Sequence, residues 1–329
     1  MTAAEILRAF PKLSALVVGD ICLDRWCTYE PAASEPSRET GIPRLAVVAT
    51  EVTPGAGGTV ANNLAALGCG RIDVLGVAGD DGFGYELLRA LGERGISAEL
   101  LLRAPGLPTF TYTKLINART GVEDRPRVDF INTRPLPEAI EQKLLAALRE
   151  VFPRYDVVLV SDQAETGQAA VVTPAMRSLL AELAARYPEK IVWADSRLRI
   201  AEFRRVILKP NQQEAAAACE RLFGATDYQR LRAWVASPLL IVTRGGDGVV
   251  VVDASGQTPV PTRKIARPVD ICGAGDSFSA GAALALAVTR SPLEAARFGN
   301  LVASITIMKK GTGTASPQEV LAAEAQAPA

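Results

Sequence analysis

Val269-Asp270-Ile271-Cys272-Gly273-Ala274-Gly275-Asp276-Ser277-Phe278-Ser279-Ala280-Gly281 is the stretch on which the reading of this chain turns. An extended segment, Thr262 to Val269, leads into it. An apolar, alanine-rich run that reads as a buried helix follows. Gly273 and Gly275 flank only Ala274, so the backbone can turn tightly and come close to a ligand. The amides of Ala274, Gly275 and Asp276 then fall in the first helical turn, where N–H groups have no partner within the helix. Such a turn attracts anions, and the helix dipole adds to the attraction. What sets this one apart is a carboxylate, Asp276, beside the anion site.

Two chemistries compete for the stretch. A dinucleotide-binding turn reads G-x-G-x-x-G, but Phe278 stands where the third glycine belongs, and Asp276 would repel a resting pyrophosphate. Phosphoryl transfer accommodates both features. Backbone amides hold the charge that develops on the phosphoryl group, and the carboxylate takes a proton from an attacking hydroxyl. Asp is also common in first turns as a simple cap, but a cap does not need Gly-Ala-Gly before it.

Composition narrows the field. The chain has 329 residues, 48% of them apolar, and a formal net charge of zero. That length can bury one large core or two modest ones. Zero net charge argues against nucleic acid or an anionic membrane surface as a partner. There is no histidine, which excludes Ser-His-Asp hydrolysis, Cys-His proteolysis and His-ligated zinc. A general base must then be a carboxylate, Lys, Tyr or Cys. The five cysteines form no C-x-x-C pair and read as small buried residues in a reducing compartment. The first residues form a short charged amphipathic segment, and no apolar run reaches membrane-spanning length. The expected location is cytoplasmic.

Along the chain, Ala15 to Asp20 is a continuous apolar run closing on Gly-Asp, a buried strand. Ligands gather at the C-terminal ends of parallel strands, where Asp20 and Asp24 fall. Locally, sugar binding and turn stabilisation are equally good readings of Asp20. Arg25 to Thr53 turns polar and proline-broken, the mark of a small β flap. Gly57-Gly58-Thr59-Val60-Ala61-Asn62 is a glycine turn feeding a small-residue helix; without a lysine after its glycines it is not the triphosphate P-loop. Strand signals at 98–102, 110–116 and 127–130 are expected to complete the flap, in segments of about 26–52 and 98–132. Lys114 lies there, within reach of a substrate phosphate. From Leu136 onward the rhythm is regular α/β, with polar residues repeatedly at strand ends (Asp195-Ser196-Arg197, Lys209-Pro210-Asn211). Asn211 and Glu214 also fit a helix cap and its N3 partner. Residues 320–329 read as a frayed tail.

Asp270 to Asp276 followed by Ser-Phe-x-Ala-Gly resembles the C-terminal signature of the PfkB, or ribokinase-like, sugar kinases. Gly57-Gly58 with Asn62, Asn211-x-x-Glu214 and Thr243-x-Gly245-x-x-Gly248 resemble further motifs of the family, in order and over nearly the whole chain. The resemblance implies a three-layer α/β/α fold with a mostly parallel sheet and a β-sheet lid, as a single domain over 1–329. It implies transfer of the γ-phosphoryl group of ATP, with Mg2+, to a hydroxyl of a sugar or sugar phosphate. Asp276 would be the base, and the amides of Gly273, Ala274 and Gly275 the anion hole. Asp20, Asp24, Gly57, Gly58, Asn62 and Lys114 would serve the sugar. Asn211, Glu214, Thr243, Gly245, Gly248 and Asn300 would serve the nucleotide and its magnesium. Asp270 and the loop through Ser316 would hold a monovalent cation such as K+. In relatives the lid often pairs two subunits, which implies a homodimer.

Within the family, Val17 to Asp20, Thr113-Lys114-Leu115, Arg127 to Phe130 and Gly311 to Pro317 are most similar to the heptose-phosphate kinases. Two places depart from that branch. No lysine follows Asp162 within Gln163-Ala164-Glu165, and Asp195-Ser196-Arg197 replaces Asp-Pro-Lys. Ribose, fructose and other hexoses stay open as substrates, as does a non-catalytic or dinucleotide-binding α/β protein.

Overall fold

A computed structural model describes residues 1–164 and 170–326. In chain order its strands are β1 (Ser14–Gly19), β2 (Ile21–Tyr29), β3 (Val47–Ala56), β4 (Arg71–Gly79), β5 (Leu101–Ala104), β6 (Thr111–Asn117), β7 (Val128–Phe130), β8 (Val157–Asp162), β9 (Ile191–Ser196), β10 (Ile207–Leu208), β11 (Leu240–Thr243), β12 (Val249–Asp253) and β13 (Gly256–Val260). The helices are α1 (Ala3–Ala9), α2 (Gly57–Ala66), α3 (Gly82–Gly92), α4 (Glu138–Val151), α5 (Pro174–Arg186), α6 (Gln212–Phe223), α7 (Tyr228–Trp234), α8 (Ala274–Thr289), α9 (Pro292–Thr306) and α10 (Pro317–Ala325).

The strands form a nine-stranded sheet, ordered β13-β12-β11-β10-β9-β8-β1-β4-β5, and a four-stranded sheet, ordered β3-β2-β6-β7. The large sheet is parallel from β5 to β11; β12 pairs antiparallel with β11, and β13 antiparallel with β12. Its central strands β1 and β8 carry continuous apolar runs, Ala15 to Val18 and Val157 to Val160, because both faces are covered. The two-residue side-chain period then sorts each strand between two cores. Ala15, Val17, Leu159 and Trp193 face one core with α2, α8 and α9. Leu16, Val18, Val160 and Ala194 face the other with α4, α5, α6 and α7. The result is the expected ribokinase-like three-layer sandwich.

β1 passes through Asp20 straight into β2, so the first strand of the core is continuous with the centre of the small sheet. β6 pairs parallel to β2 from Leu23↔Thr111 to Tyr29↔Asn117. That pairing fixes the small sheet over the C-terminal edge of the large one.

Three expectations are corrected. The signal at 98–102 belongs to β5, which pairs parallel with β4 at the edge of the large sheet and is no part of the flap. The segment 262–269 is irregular, because the strand before it ends at Val260 and the chain turns toward α9, where Val269 and Asp270 both donate to Ile307 O. Of the expected tail over 320–329, the part through Ala325 is the body of α10, and 327–329 lie outside the described residues. Ser316 and Glu319 close a capping box there, and Val320 is fully buried. No helix among the described residues is long and apolar enough to cross a membrane.

Candidate active site

Asp276 lies in the first turn of α8, where two cavities meet. One opens toward the flap and is walled by Asp24, Tyr112, Lys114, Arg127 and Asp129. The other is walled by Asn211, Glu214, Thr243, Gly245, Gly248 and Asn300. Gln163, Arg197, Cys272, Gly273 and Asp276 line both.

The head of α8 is built by two glycines with different tasks. Gly273 is the N-cap at φ 76°, ψ 5°, a left-handed conformation that costs a side-chain-bearing residue about 1–2 kcal/mol. Gly275 is already helical, and what it supplies is room. A Cβ there would stand 3.1 Å from the Lys209 ammonium. Lys209 is buried and sits 2.7 Å from Asp195 Oδ2. The ion pair therefore lies against the first turn of the helix. The Ala274 N–H donates back to Ile271 O at 3.2 Å, which withdraws it from the expected anion hole. The N–H groups of Gly275 and Asp276 find no acceptor among the described residues.

Burial pushes the Asp276 carboxyl up to about 7. The Asp195 charge pushes the same way, the Lys209 ammonium opposes it, Asp24 adds to the rise, and Arg197 offsets part of it. An acid poised near neutrality is suited to taking a proton during the reaction. Asp24, on β2, is likewise raised to about 6, first by burial, with Lys114 and Arg127 holding it down.

The other expected residues divide. Lys114 is on the flap-side wall, 3.8 Å from Glu123. Asp20 is not on the wall: its carboxylate accepts the N–H groups of Gln163, Ala164 and Val171 and so fixes the turn after β8. Gly57 and Gly58 are also off the wall. Added side chains would meet Ile21 Cδ1 at 2.7 Å and Pro54 Cβ at 2.5 Å, so these glycines serve close packing. Their neighbours Ala56 and Thr59 take the wall positions. Asn62 donates to Thr53 Oγ1 and Pro54 O, and its Oδ1 is buried with no partner among the described residues.

Asn211 and Glu214 form a reciprocal capping box at the head of α6, each side chain on the other's N–H at 2.8 Å, and both line the second cavity. Burial and the nearby Asp195 raise the Glu214 carboxyl. Thr243, Gly245 and Gly248 turn the antiparallel β11–β12 pair, and that turn is a cavity wall. Asn300 gives its amide hydrogens to Val260 O and Pro261 O, which anchors the segment leaving β13. Asp270 accepts from Cys272 N and Gly311 N, tying two loops together. The Ser316 hydroxyl closes the α10 cap, so it is committed to Glu319.

Sequence reading passed over Gln163, Asp195, Arg197 and Lys209 as site residues. All stand at or just beyond the C-terminal ends of β8, β9 and β10, where a parallel sheet assembles its site. That rule was the available signal.

The bifunctional protein HldE of Trichlorobacter lovleyi is 33% identical over 319 residues, covering 94% of this chain and 62% of that protein. HldE of Caulobacter sp. (strain K31) is 34% identical over 339 residues, covering 97% and 64%. The chain thus spans under two thirds of the length of these relatives. Among solved structures, a ribokinase from Thermotoga maritima matches with a TM-score of 0.69 at 22% identity, over 94% of this chain and 99% of that one. Phosphofructokinase-2 from Escherichia coli in complex with potassium matches with a TM-score of 0.69 at 19% identity, over 95% and 98%. The family model for pfkB family carbohydrate kinases matches residues 14–319. The chain belongs to that family, phosphotransferases with an alcohol group as acceptor.

Proposed function

We propose that this chain moves the γ-phosphoryl group of ATP onto a hydroxyl of a phosphorylated sugar, with heptose 7-phosphate, accepting at its 1-position, as the first candidate. The observation that carries the reading is the place of Asp276, shared by both cavities at the head of α8. A sugar in the flap-side cavity and a triphosphate in the other would meet at that carboxylate. Lys114 on the flap-side wall supplies positive charge for a phosphate, Arg127 stands there paired with both carboxylate oxygens of Asp129 at 2.7 Å, and Asp24 accepts hydrogen bonds from hydroxyls. The likeness of Arg127 to Phe130 and of Thr113 to Leu115 to the heptose-phosphate kinases supports the choice of sugar. A free pentose or hexose is the alternative, favoured by the two departures, at the residues after Asp162 and at Asp195-Ser196-Arg197.

In this mechanism Asp276 takes the proton of the attacking hydroxyl, and the N–H groups of Gly275 and Asp276 face the phosphoryl group. Glu214 fits a water-mediated contact to magnesium, which prefers oxygen ligands and keeps much of its water. No three His, Cys, Asp or Glu side chains among the described residues come together as a metal cage. The ion is therefore assigned to the nucleotide phosphates. Each Asp270 carboxylate oxygen accepts one backbone amide.

We further propose a homodimer through the flap. Its strands β3 and β7 leave Val47, Val48, Val128 and Phe130 exposed, with Ile131 beside them. β3 and β7 are the two edges of the small sheet, and exposed apolar residues along such edges suit pairing with a second copy. The test of the whole reading is an ADP-release assay over free sugars and sugar phosphates, heptose 7-phosphate included. Turnover dependent on a phosphorylated sugar is the expected result; ATP consumption indifferent to any sugar would refute it.

A further inference from the structure

We propose that Arg197 is the cationic contact to the transferring phosphoryl group, reaching it from the end of β9 opposite the head of α8. This deepens the kinase reading above and rests on it.

Arg197 is one of only a few residues that line both cavities, and it is the only cation among those shared. It directly follows β9, two residues beyond Asp195, the partner of Lys209. Its backbone is held firmly. The Arg197 N–H donates to Asp162 O at 3.1 Å, and its chain neighbour Ser196 donates its hydroxyl to Asp162 Oδ2 at 2.6 Å. Asp162 itself is fully buried and paired with Arg199 through both carboxylate oxygens, at 2.6 and 3.1 Å. Arg197 thus projects from a rigid base. Its Nε donates to Gln163 Oε1 at 3.3 Å, and Gln163 is set by its own N–H on Asp20. The buried Asp20 therefore acts at a distance, through Gln163, on the direction of this guanidinium.

The chemistry needs such a group. As the acceptor oxygen bonds to phosphorus, its proton passes to Asp276. The bond from phosphorus to the β–γ bridging oxygen breaks, and its electron pair stays on ADP. Negative charge is spread over the three oxygens of the moving group. The N–H groups of Gly275 and Asp276 meet it from one side. A planar guanidinium matches phosphate oxygens in geometry as well as charge. The influence of Arg197 on both Asp276 and Glu214 agrees with a place between the two cavities.

The experiment compares binding of Mg-AMPPNP and Mg-ADP by calorimetry to the full chain and to its Arg197→Met and Arg197→Lys variants. A contact to the γ-phosphoryl group is expected to weaken AMPPNP by about 10- to 100-fold in Arg197→Met and to leave ADP unchanged. Arg197→Lys should recover part of that loss. In turnover, kcat should fall while KM for the sugar stays within about threefold. Removing the positive charge should also raise the acidic limb of the pH–rate profile, where Asp195, Lys209 and Asp24 are the other charges acting on Asp276. Equal weakening of both nucleotides, no weakening of either, or a loss confined to sugar-phosphate KM would overturn the assignment and leave the kinase reading intact. A parent protein that binds neither nucleotide would overturn both.

Discussion

The Lys209 ammonium lies 2.7 Å from the Asp195 carboxylate, and the missing side chain of Gly275 is what lets that ammonium approach the first turn of α8. The Lys209 charge thereby acts on Asp276, opposing the rise that burial imposes on its carboxyl. The ion pair is buried, so its two charges depend on each other. Removing one partner from a buried pair typically costs about 3–5 kcal/mol, because the other charge is left uncompensated.

Lys209→Met should accordingly lose stability in that range and also raise the pH at which the enzyme becomes active, since Lys209 holds the Asp276 carboxyl down. Denaturant melts and a pH–rate profile read the two effects. An unchanged profile would show that the Lys209 charge does not reach Asp276.

Gly275→Ala separates packing from catalysis. Gly275 is helical, and alanine is favoured over glycine inside helices by roughly 1 kcal/mol, so the variant should fold. Its Cβ would crowd the Lys209 ammonium and shift the helix head, so kcat should drop by about tenfold or more. Gly273→Ala should instead cost stability, because φ at that cap is positive. Thermal melts and kcat on both variants check the contrast; equal behaviour would contradict the division of labour between the glycines.

Asp276 also makes a stability forecast. Burial raises its carboxyl to about 7, so the folded chain holds this proton more tightly than the unfolded one. Its contribution to stability is present at low pH and is lost as pH climbs from about 4 toward 7. Asp276→Asn removes the buried charge. The variant should therefore melt above the parent at about pH 8, with the difference closing toward about pH 5. A difference independent of pH would count against an ionised carboxylate in this place. The same titration governs rate in the opposite sense, since a base works ionised: kcat/KM should rise with pH through about 7.

Magnesium removal should stop turnover and leave the melting temperature of the nucleotide-free protein unchanged, because no acidic cage awaits the ion among the described residues. Melts with and without EDTA suffice. A large drop in melting temperature would reveal a built metal site.

Val48 is 63% exposed on the flap strand β3. Val48→Asp places a charge in the proposed interface and should shift the protein from dimer to monomer in sedimentation while the core melts normally. A mass unaffected by the substitution would move the interface elsewhere.

Much of this architecture was legible in the sequence for a plain reason. Strands such as Ala15 to Val18 and Val157 to Val160 are apolar throughout, which only a sheet covered on both faces needs, and Gly273-Ala274-Gly275-Asp276 combines a turn, a helix start and an acid. Residues whose role depends on partners distant in the chain were not legible. Asp20 reads equally well from its neighbours as a sugar ligand or a turn stabiliser, and only its distant partners, the amides of Gln163, Ala164 and Val171, show where its carboxylate is engaged. Gly58 looks like a place for a ligand to approach, yet Pro54 occupies that space. Arg197 looks like ordinary loop polarity until β8 and β9 bring it beside Gln163. β5 was misplaced because a strand signal carries no address: pairing with β4 is decided by register and topology, not by the residues of 98–102 alone.

The central claim is that Asp276 takes the proton of the attacking hydroxyl. Its most direct test is kcat for sugar-dependent ADP release by Asp276→Asn, measured at saturating substrates beside the parent. A fall of about 10²–10⁴-fold, with the fold and nucleotide affinity retained, is the expected result; turnover within about threefold of the parent would contradict it.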